Sequence, residues 1–217
     1  MSCSFYFLLY LLYSIIGWVI EVMESFFSKK KFVNRGFLIG PYCPIYGKGA
    51  LLVIFLLKDY LDKPFGLFTL SIVICSIIEY LGSYLLEKLF NTSWWDYSNN
   101  KFNINGRICL QTMFLFGICC MLVMYIINPF LSKIILIIPT KILNITAIIT
   151  ALLYITDISI SFRLIWKFRK VSQNAKIDST EKVTEYVKKE ILNKKKILYT
   201  RLIDAFPRLK IIKIKKN

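Results

Sequence analysis

The chain has 217 residues, 56% of them hydrophobic and 16% aromatic, with a mean hydropathy of +0.56 and a net charge of +16. Soluble domains are about 45–50% apolar, so the long apolar runs here exclude an ordinary soluble class. They point to an all-α polytopic membrane bundle with no separate soluble domain of any size. The charge does not indicate nucleic acid: residues 163–217 hold 17 Lys/Arg against 5 Asp/Glu, and nothing in them resembles a nucleic-acid recognition module.

A span needs roughly 20 apolar residues. Five stretches are predicted to cross, at about 5–27, 43–61, 65–88, 107–128 and 142–164. The run after Met1 lacks a basic n-region and a small-residue cleavage site, so it is expected to remain as a span. The second stretch is the weakest, because Pro44, Gly47 and Gly49 interrupt its start. Residues 130–138 are apolar but too short to span, and Pro129 and Pro139 bound them; they are expected to form an interfacial or re-entrant piece. The expected division is a transmembrane domain at 1–165 and a basic tail at 166–217.

In the tail, Asp178 and Glu181 form a capping-box pattern. Val183, Val187, Ile191, Leu198 and Leu202 then share one helical face up to Pro207. This predicts an amphipathic helix over about 179–205, resting on anionic lipid headgroups or simply solvated. Lys/Arg placement puts the tail, with the 28–42 and 89–106 loops, on the cytoplasmic side of the membrane. The six cysteines form no C-x-x-C pair, and there is no histidine. No metal or other cofactor is expected.

Acidic residues inside apolar helices face protein or wet cavities, because hydrocarbon penalises charge. Side chains three or four apart share a face, which aligns Tyr10, Ser14, Gly17, Glu21 and Glu24 in the first span. The third span aligns Cys75, Glu79, Ser83 and Glu87, and the fifth aligns Thr146, Thr150, Tyr154, Asp157 and Ser161. Glu21, Glu79 and Asp157 then lie about 9–14 Å from one membrane face. Arg35, Arg107 and Arg163 lie near that face, and Gln111 sits one turn after Arg107. The expectation is a charged vestibule for a cationic or zwitterionic substrate, or a proton relay. The alternative is a set of internal salt bridges, such as Glu79 or Glu87 with Arg107.

Two loops stand out. Residues 34–50 carry Gly36, Gly40, Pro41, Pro44, Gly47 and Gly49 around Tyr42 and Tyr46, and demand irregular backbone. At membrane depth such backbone survives only where protein or a cavity surrounds it. Gly47-Lys48-Gly49 is not a phosphate loop, since Tyr42 stands where Walker A needs glycine and Gly49 where it needs Ser or Thr. The second loop runs from Trp94-Trp95-Asp96-Tyr97 to Asn105-Gly106-Arg107. Its paired tryptophans read as an aromatic belt, or with Asp96 and Tyr97 as the rim of the vestibule. Asn105-Gly106 is a turn signal.

These loops, with Gly17-Trp18-x-x-Glu21 and Glu79-Tyr80-x-x-Ser83-Tyr84-x-x-Glu87, resemble the putative ABC-transporter type IV, or CmpB-like, family over roughly residues 5–165. The resemblance implies a permease-like multi-pass protein of the bacterial cytoplasmic membrane. Any ATP-driven role would need a separate ATPase subunit, because the chain has no nucleotide-binding motif. The preferred reading is a permease component in which Glu21, Glu79 and Asp157 bind a cation or proton and Arg35 and Arg107 balance them. One alternative is a membrane-embedded enzyme acting on a lipid or lipid phosphate, with carboxylates as acid/base groups or divalent-cation ligands. Another is a regulatory or scaffold subunit. Self-association into a homo-oligomer is a further open alternative.

Overall fold

The computed structural model describes residues 1–90, 92–174, 201, 204–205 and 210–211. Among the described residues six longer α-helices stand out: α1 (Cys3–Lys29), α2 (Pro44–Leu57), α3 (Pro64–Phe90), α4 (Leu110–Leu122), α5 (Asn128–Ile137) and α6 (Thr140–Asn174). The strands are two-residue pieces. β2 (Asn103–Ile104) pairs antiparallel with β3 (Ile108–Cys109), and β1 (Thr92–Ser93) pairs with β4 (Lys210–Ile211). Asn105 and Gly106 take the positive φ values that reverse the β2–β3 chain. The amphipathic helix expected over 179–205 lies outside the described residues, apart from Arg201 and residues 204–205.

Among the described residues, four helical segments are long and apolar enough to cross a membrane: Cys3–Ser28, Pro64–Phe90, Leu110–Ile137 and Thr140–Trp166. The stretch expected to be the second span is different. α2 has 14 residues, which is about 21 Å against a hydrocarbon thickness of about 30 Å. Pro44 starts this helix instead of interrupting it, because a proline at the first position gives up an N–H that has no helical partner anyway.

The separate piece expected at 130–138 is also corrected. α4 runs through a π segment at Val123–Ile127 directly into α5, and the Asn128 N–H bonds to the Val123 carbonyl. Widening the turn just before Pro129 lets the helix absorb the residue whose ring would otherwise clash with the preceding turn.

Glycines set the close helix pairs. A Cβ on Gly47 of α2 would collide with Ser14 Oγ and Tyr10 O of α1, and one on Gly17 would enter the Tyr46 ring. On α4, a Cβ at Gly117 would meet Phe68 and Ile72 of α3. Helix association in lipid depends on such close approach, since burial from water supplies no drive there. α2 occupies the middle of the bundle. Its Ala50 belongs to a core with Phe5, Leu9, Tyr13, Ile135, Leu143 and Ala147. Its Val53 and Leu57 belong to a second core with Leu67, Cys120 and Met124.

Candidate functional site

The short helix α2 begins halfway along α1. The Cys43 N–H donates to the Ser14 carbonyl at 2.8 Å, and the far end of α2 reaches the start of α1, where the Tyr6 and Phe55 rings lie 4.9 Å apart. Residues 32–43 therefore descend without helix or strand from the end of α1 to its middle. The re-entrant loop and α2 together run back along α1, and the loop's backbone polar groups need partners from the protein.

Those partners come mostly from single side chains. The Asp157 carboxylate of α6 accepts the N–H groups of Ile39 (2.9 Å) and Gly40 (2.7 Å), the Tyr42 hydroxyl (2.8 Å) and the Ser161 hydroxyl (2.8 Å). Four donors on one carboxylate offset its removal from water. Asn34 links the loop to itself by donating to the Ile39 carbonyl at 2.9 Å, while its own Oδ1 accepts from Trp18 Nε1 at 2.7 Å. Tyr42 continues a ladder of hydroxyls: its ring packs 5.3 Å from that of Tyr154, whose OH shares a 2.5 Å hydrogen bond with Tyr10.

A second group lies beside the start of α2. The Tyr46 hydroxyl donates to Glu21 Oε1 at 2.6 Å. Arg35 Nε lies 3.5 Å from Glu21 Oε2, and Arg35 Nη2 lies 3.0 Å from Glu24. The Glu79 carboxylate of α3 is close enough to Glu21 and Tyr46 to interact electrostatically. Among the described residues it has neither an ion pair nor a hydrogen bond. Tyr97 faces the same group: burial pushes its phenol pKa up, and the Glu79 and Glu21 carboxylates push it further.

The third acid forms a separate pair. Arg107 Nη2 meets Glu87 Oε2 at 2.5 Å, while Nη1 donates to the Tyr80 hydroxyl at 3.1 Å. The guanidinium also stacks on the Tyr80 and Tyr84 rings, 5.2 and 5.5 Å from their centroids. The Glu87 hydrogen bond raises the Arg107 pKa, so this charge persists at any ordinary pH.

The expected residues are thus gathered at one end of the bundle but divided into three sets around Asp157, Glu21 and Glu87. Glu79 contacts the Glu21 set, and of the two salt bridges considered for Arg107 the one formed is with Glu87. Gln111 is exposed and lines an outward hollow with Asn100, Lys101, Phe102, Leu110 and Phe114. Arg163 is also exposed.

Trp94 is not part of an interfacial belt. It is 3% exposed and packs on Phe37 of the re-entrant loop, which also meets Phe90 and Phe162. Trp95 Nε1 donates to the Arg107 carbonyl at 3.1 Å. Asp96 accepts the N–H and hydroxyl of Ser98, and Tyr97 N–H bonds to the Gly106 carbonyl. Asn34 and Trp18 were not among the expected site residues, although an Asn just before Arg-Gly is a local hydrogen-bonding signal. Among the described residues no cluster of three or more His, Cys, Asp or Glu side chains could hold a metal ion.

Long apolar helices that carry carboxylates on their faces define a multi-pass helical membrane protein. Residues 8–162 match the family described as Putative ABC-transporter type IV, and the chain belongs to it. No curated protein and no solved structure matches the chain.

Proposed function

We propose that the protein is the permease component of a transporter, and that the group formed by Glu79, Glu21, Tyr46 and Arg35 binds a small cation, a zwitterion or a proton. The observation that carries this reading is the Glu79 carboxylate. It sits on an apolar helix beside a second carboxylate, and no described residue offers it a donor. Glu21 by contrast already has Tyr46 and Arg35. An intramembrane acid left in this state is a functional site by default, because a purely structural one would have been paired or replaced. The re-entrant loop and the short α2 support the reading, since irregular backbone and a half-length helix are the usual architecture of substrate sites at membrane depth. The lysines at 29–31, Arg35 and the basic tail favour a cytoplasmic location for the loop end. A separate ATPase subunit would supply any ATP-driven step.

The test is thermal unfolding of purified wild type and Glu79→Gln in detergent, from about pH 5 to about pH 8, with sodium, potassium, ammonium, choline and amino acids as ligands. At least one ligand is expected to stabilise wild type, by mass action on the folded state, and to lose its effect on a folded Glu79→Gln. If no ligand shifts wild type, or if the mutant responds equally, the assignment of Glu79 fails.

A further inference from the structure

The hollow at the start of α4 lies outside the groups around Asp157, Glu21 and Glu87. It encloses about 560 Å³ and is lined by Asn100, Lys101, Phe102, Leu110, Gln111 and Phe114. That volume falls within the range of about 300–1,000 Å³ usual for ligand clefts. Leu110 begins the segment Leu110–Ile137, which is long and apolar enough to cross a membrane. A hollow on the first turn of such a segment meets the boundary between lipid headgroups and acyl chains.

Its two ends differ in chemistry. At the loop end the Lys101 and Gln111 side chains are exposed, and among the described residues neither has an ion pair or a hydrogen-bond partner. The lining holds no acidic side chain, so Lys101 leaves the hollow positive. Away from the loop, Leu110, Phe114, Ile118 and Leu122 recur every four residues on α4, each at least 41% exposed. Side chains four apart share a helix face, and this apolar stripe continues from the hollow along the segment.

The loop holds Lys101 and Phe102 in place. Asn103 Nδ2 donates to the Asn100 carbonyl at 2.8 Å and the Ser98 carbonyl at 3.2 Å, and its Oδ1 accepts the Gly106 N–H at 3.0 Å. Within this frame Phe102 has a φ of +52° and is 78% exposed. Bulky residues rarely adopt that conformation, and it persists where the surrounding structure over-determines it. The result is an aromatic ring standing out beside an ammonium, a pairing suited to the interfacial layer of a bilayer.

We propose that this hollow is a binding site for one anionic phospholipid. The Lys101 ammonium and the Gln111 amide donate to its phosphate oxygens, Phe102 covers the glycerol backbone, and an acyl chain lies along Leu110, Phe114 and Ile118. A lipid fits better than a soluble phosphate because Phe102, Leu110 and Phe114 make half of the lining apolar and the stripe on α4 extends it. An anionic headgroup fits because the charged residue of the lining is a lysine. The site does not depend on the permease reading.

Photolabelling of the full-length protein in phosphatidylcholine nanodiscs tests this. The probe is phosphatidylglycerol with a diazirine in its acyl chain, and labelled peptides are mapped by mass spectrometry, which separates this site from the basic tail. Labelling of residues 110–118 is expected to exceed that from a matched phosphatidylcholine probe roughly fivefold, the effect of one interfacial cation. Lys101→Gln should bring the two probes most of the way to parity. Phe102→Gly should weaken labelling while leaving the thermal midpoint unchanged or higher, since glycine takes positive φ without strain. Unlabelled phosphatidylglycerol should compete, and glycerol phosphate should not. Equal labelling by the two probes, or labelling unchanged in both variants, overturns the site. Competition by glycerol phosphate at matched concentration would mark a site for soluble phosphate and overturn the lipid assignment.

Discussion

The Gly40 N–H points at Asp157 Oδ2 across 2.7 Å, joining residues 117 positions apart. With the Ile39 N–H, the Tyr42 hydroxyl and the Ser161 hydroxyl on the same carboxylate, this contact satisfies backbone that has no helix or strand partner of its own. The acid that looked from the sequence like a binding residue is, in the fold, the anchor of the loop.

Asp157→Asn therefore tests the anchor directly. Its amide nitrogen would face an N–H donor, and the charge that strengthens all four bonds would be gone. Loss of about 2–4 kcal/mol is expected, read as a lower midpoint in denaturing-detergent titration. A faster alkylation of Cys43 should accompany it. Stability within experimental error of wild type would show that the loop is held elsewhere.

The helix pairing of α1 and α2 predicts opposite outcomes for two glycines only two residues apart, which face opposite sides of α2. Gly47→Ala places a methyl against the Tyr10 carbonyl and Ser14, which cannot yield without moving α1, and should cost about 1–3 kcal/mol. Gly49→Ala meets nothing within 4 Å and should be neutral or stabilising by about 0.5–1 kcal/mol, because alanine restricts the unfolded chain. Paired unfolding titrations decide between these signs.

For Arg107 and Glu87, whose side chains are 18% and 17% exposed, single and double substitutions should not add. Glu87→Leu alone leaves a half-buried guanidinium with only Tyr80 and the ring faces, and should cost about 1–3 kcal/mol after allowance for partial solvation. Changing both residues to Leu should recover much of that loss. A double-mutant cycle with no coupling would mean that the cation–π stack, not the ion pair, holds Arg107.

α3 and α4 should be joined readily by oxidation. Cys75 and Cys120 are free thiols with sulfurs 3.5 Å apart, so mild oxidation with a membrane-permeant peroxide should remove two hydrogens and close a disulfide between them. Intact-mass measurement with peptide mapping reads this. Preferential pairing of any other two cysteines would contradict the α3–α4 register.

The sequence alone determined the class of this protein and most of its polar faces. Apolar runs of about 20 residues can only be helices when no water is present to satisfy the backbone. That constraint made α1, α3 and α6 legible, and 3.6-residue periodicity placed Glu21, Glu79, Glu87 and Asp157 on interior stripes before any contact was known. The Asn105-Gly106 turn was legible for an equally local reason, the tolerance of both residues for positive φ.

Only the tertiary structure decided what those faces meet. Residues 32–43 stay irregular where a second full-length helix was expected, and Asp157, 117 residues beyond Gly40, supplies acceptors that a helix would have supplied to itself. Residues 130–138 joined the fourth span because a π turn relieves Pro129, a register choice that no hydropathy window records. Trp94 is buried because Phe37 of the re-entrant loop, itself packed on Phe90 and Phe162, lies against it. Periodicity reports which side of a helix is polar; the choice of partner depends on long-range approach, and that is set by where Gly17, Gly47 and Gly117 let helices touch.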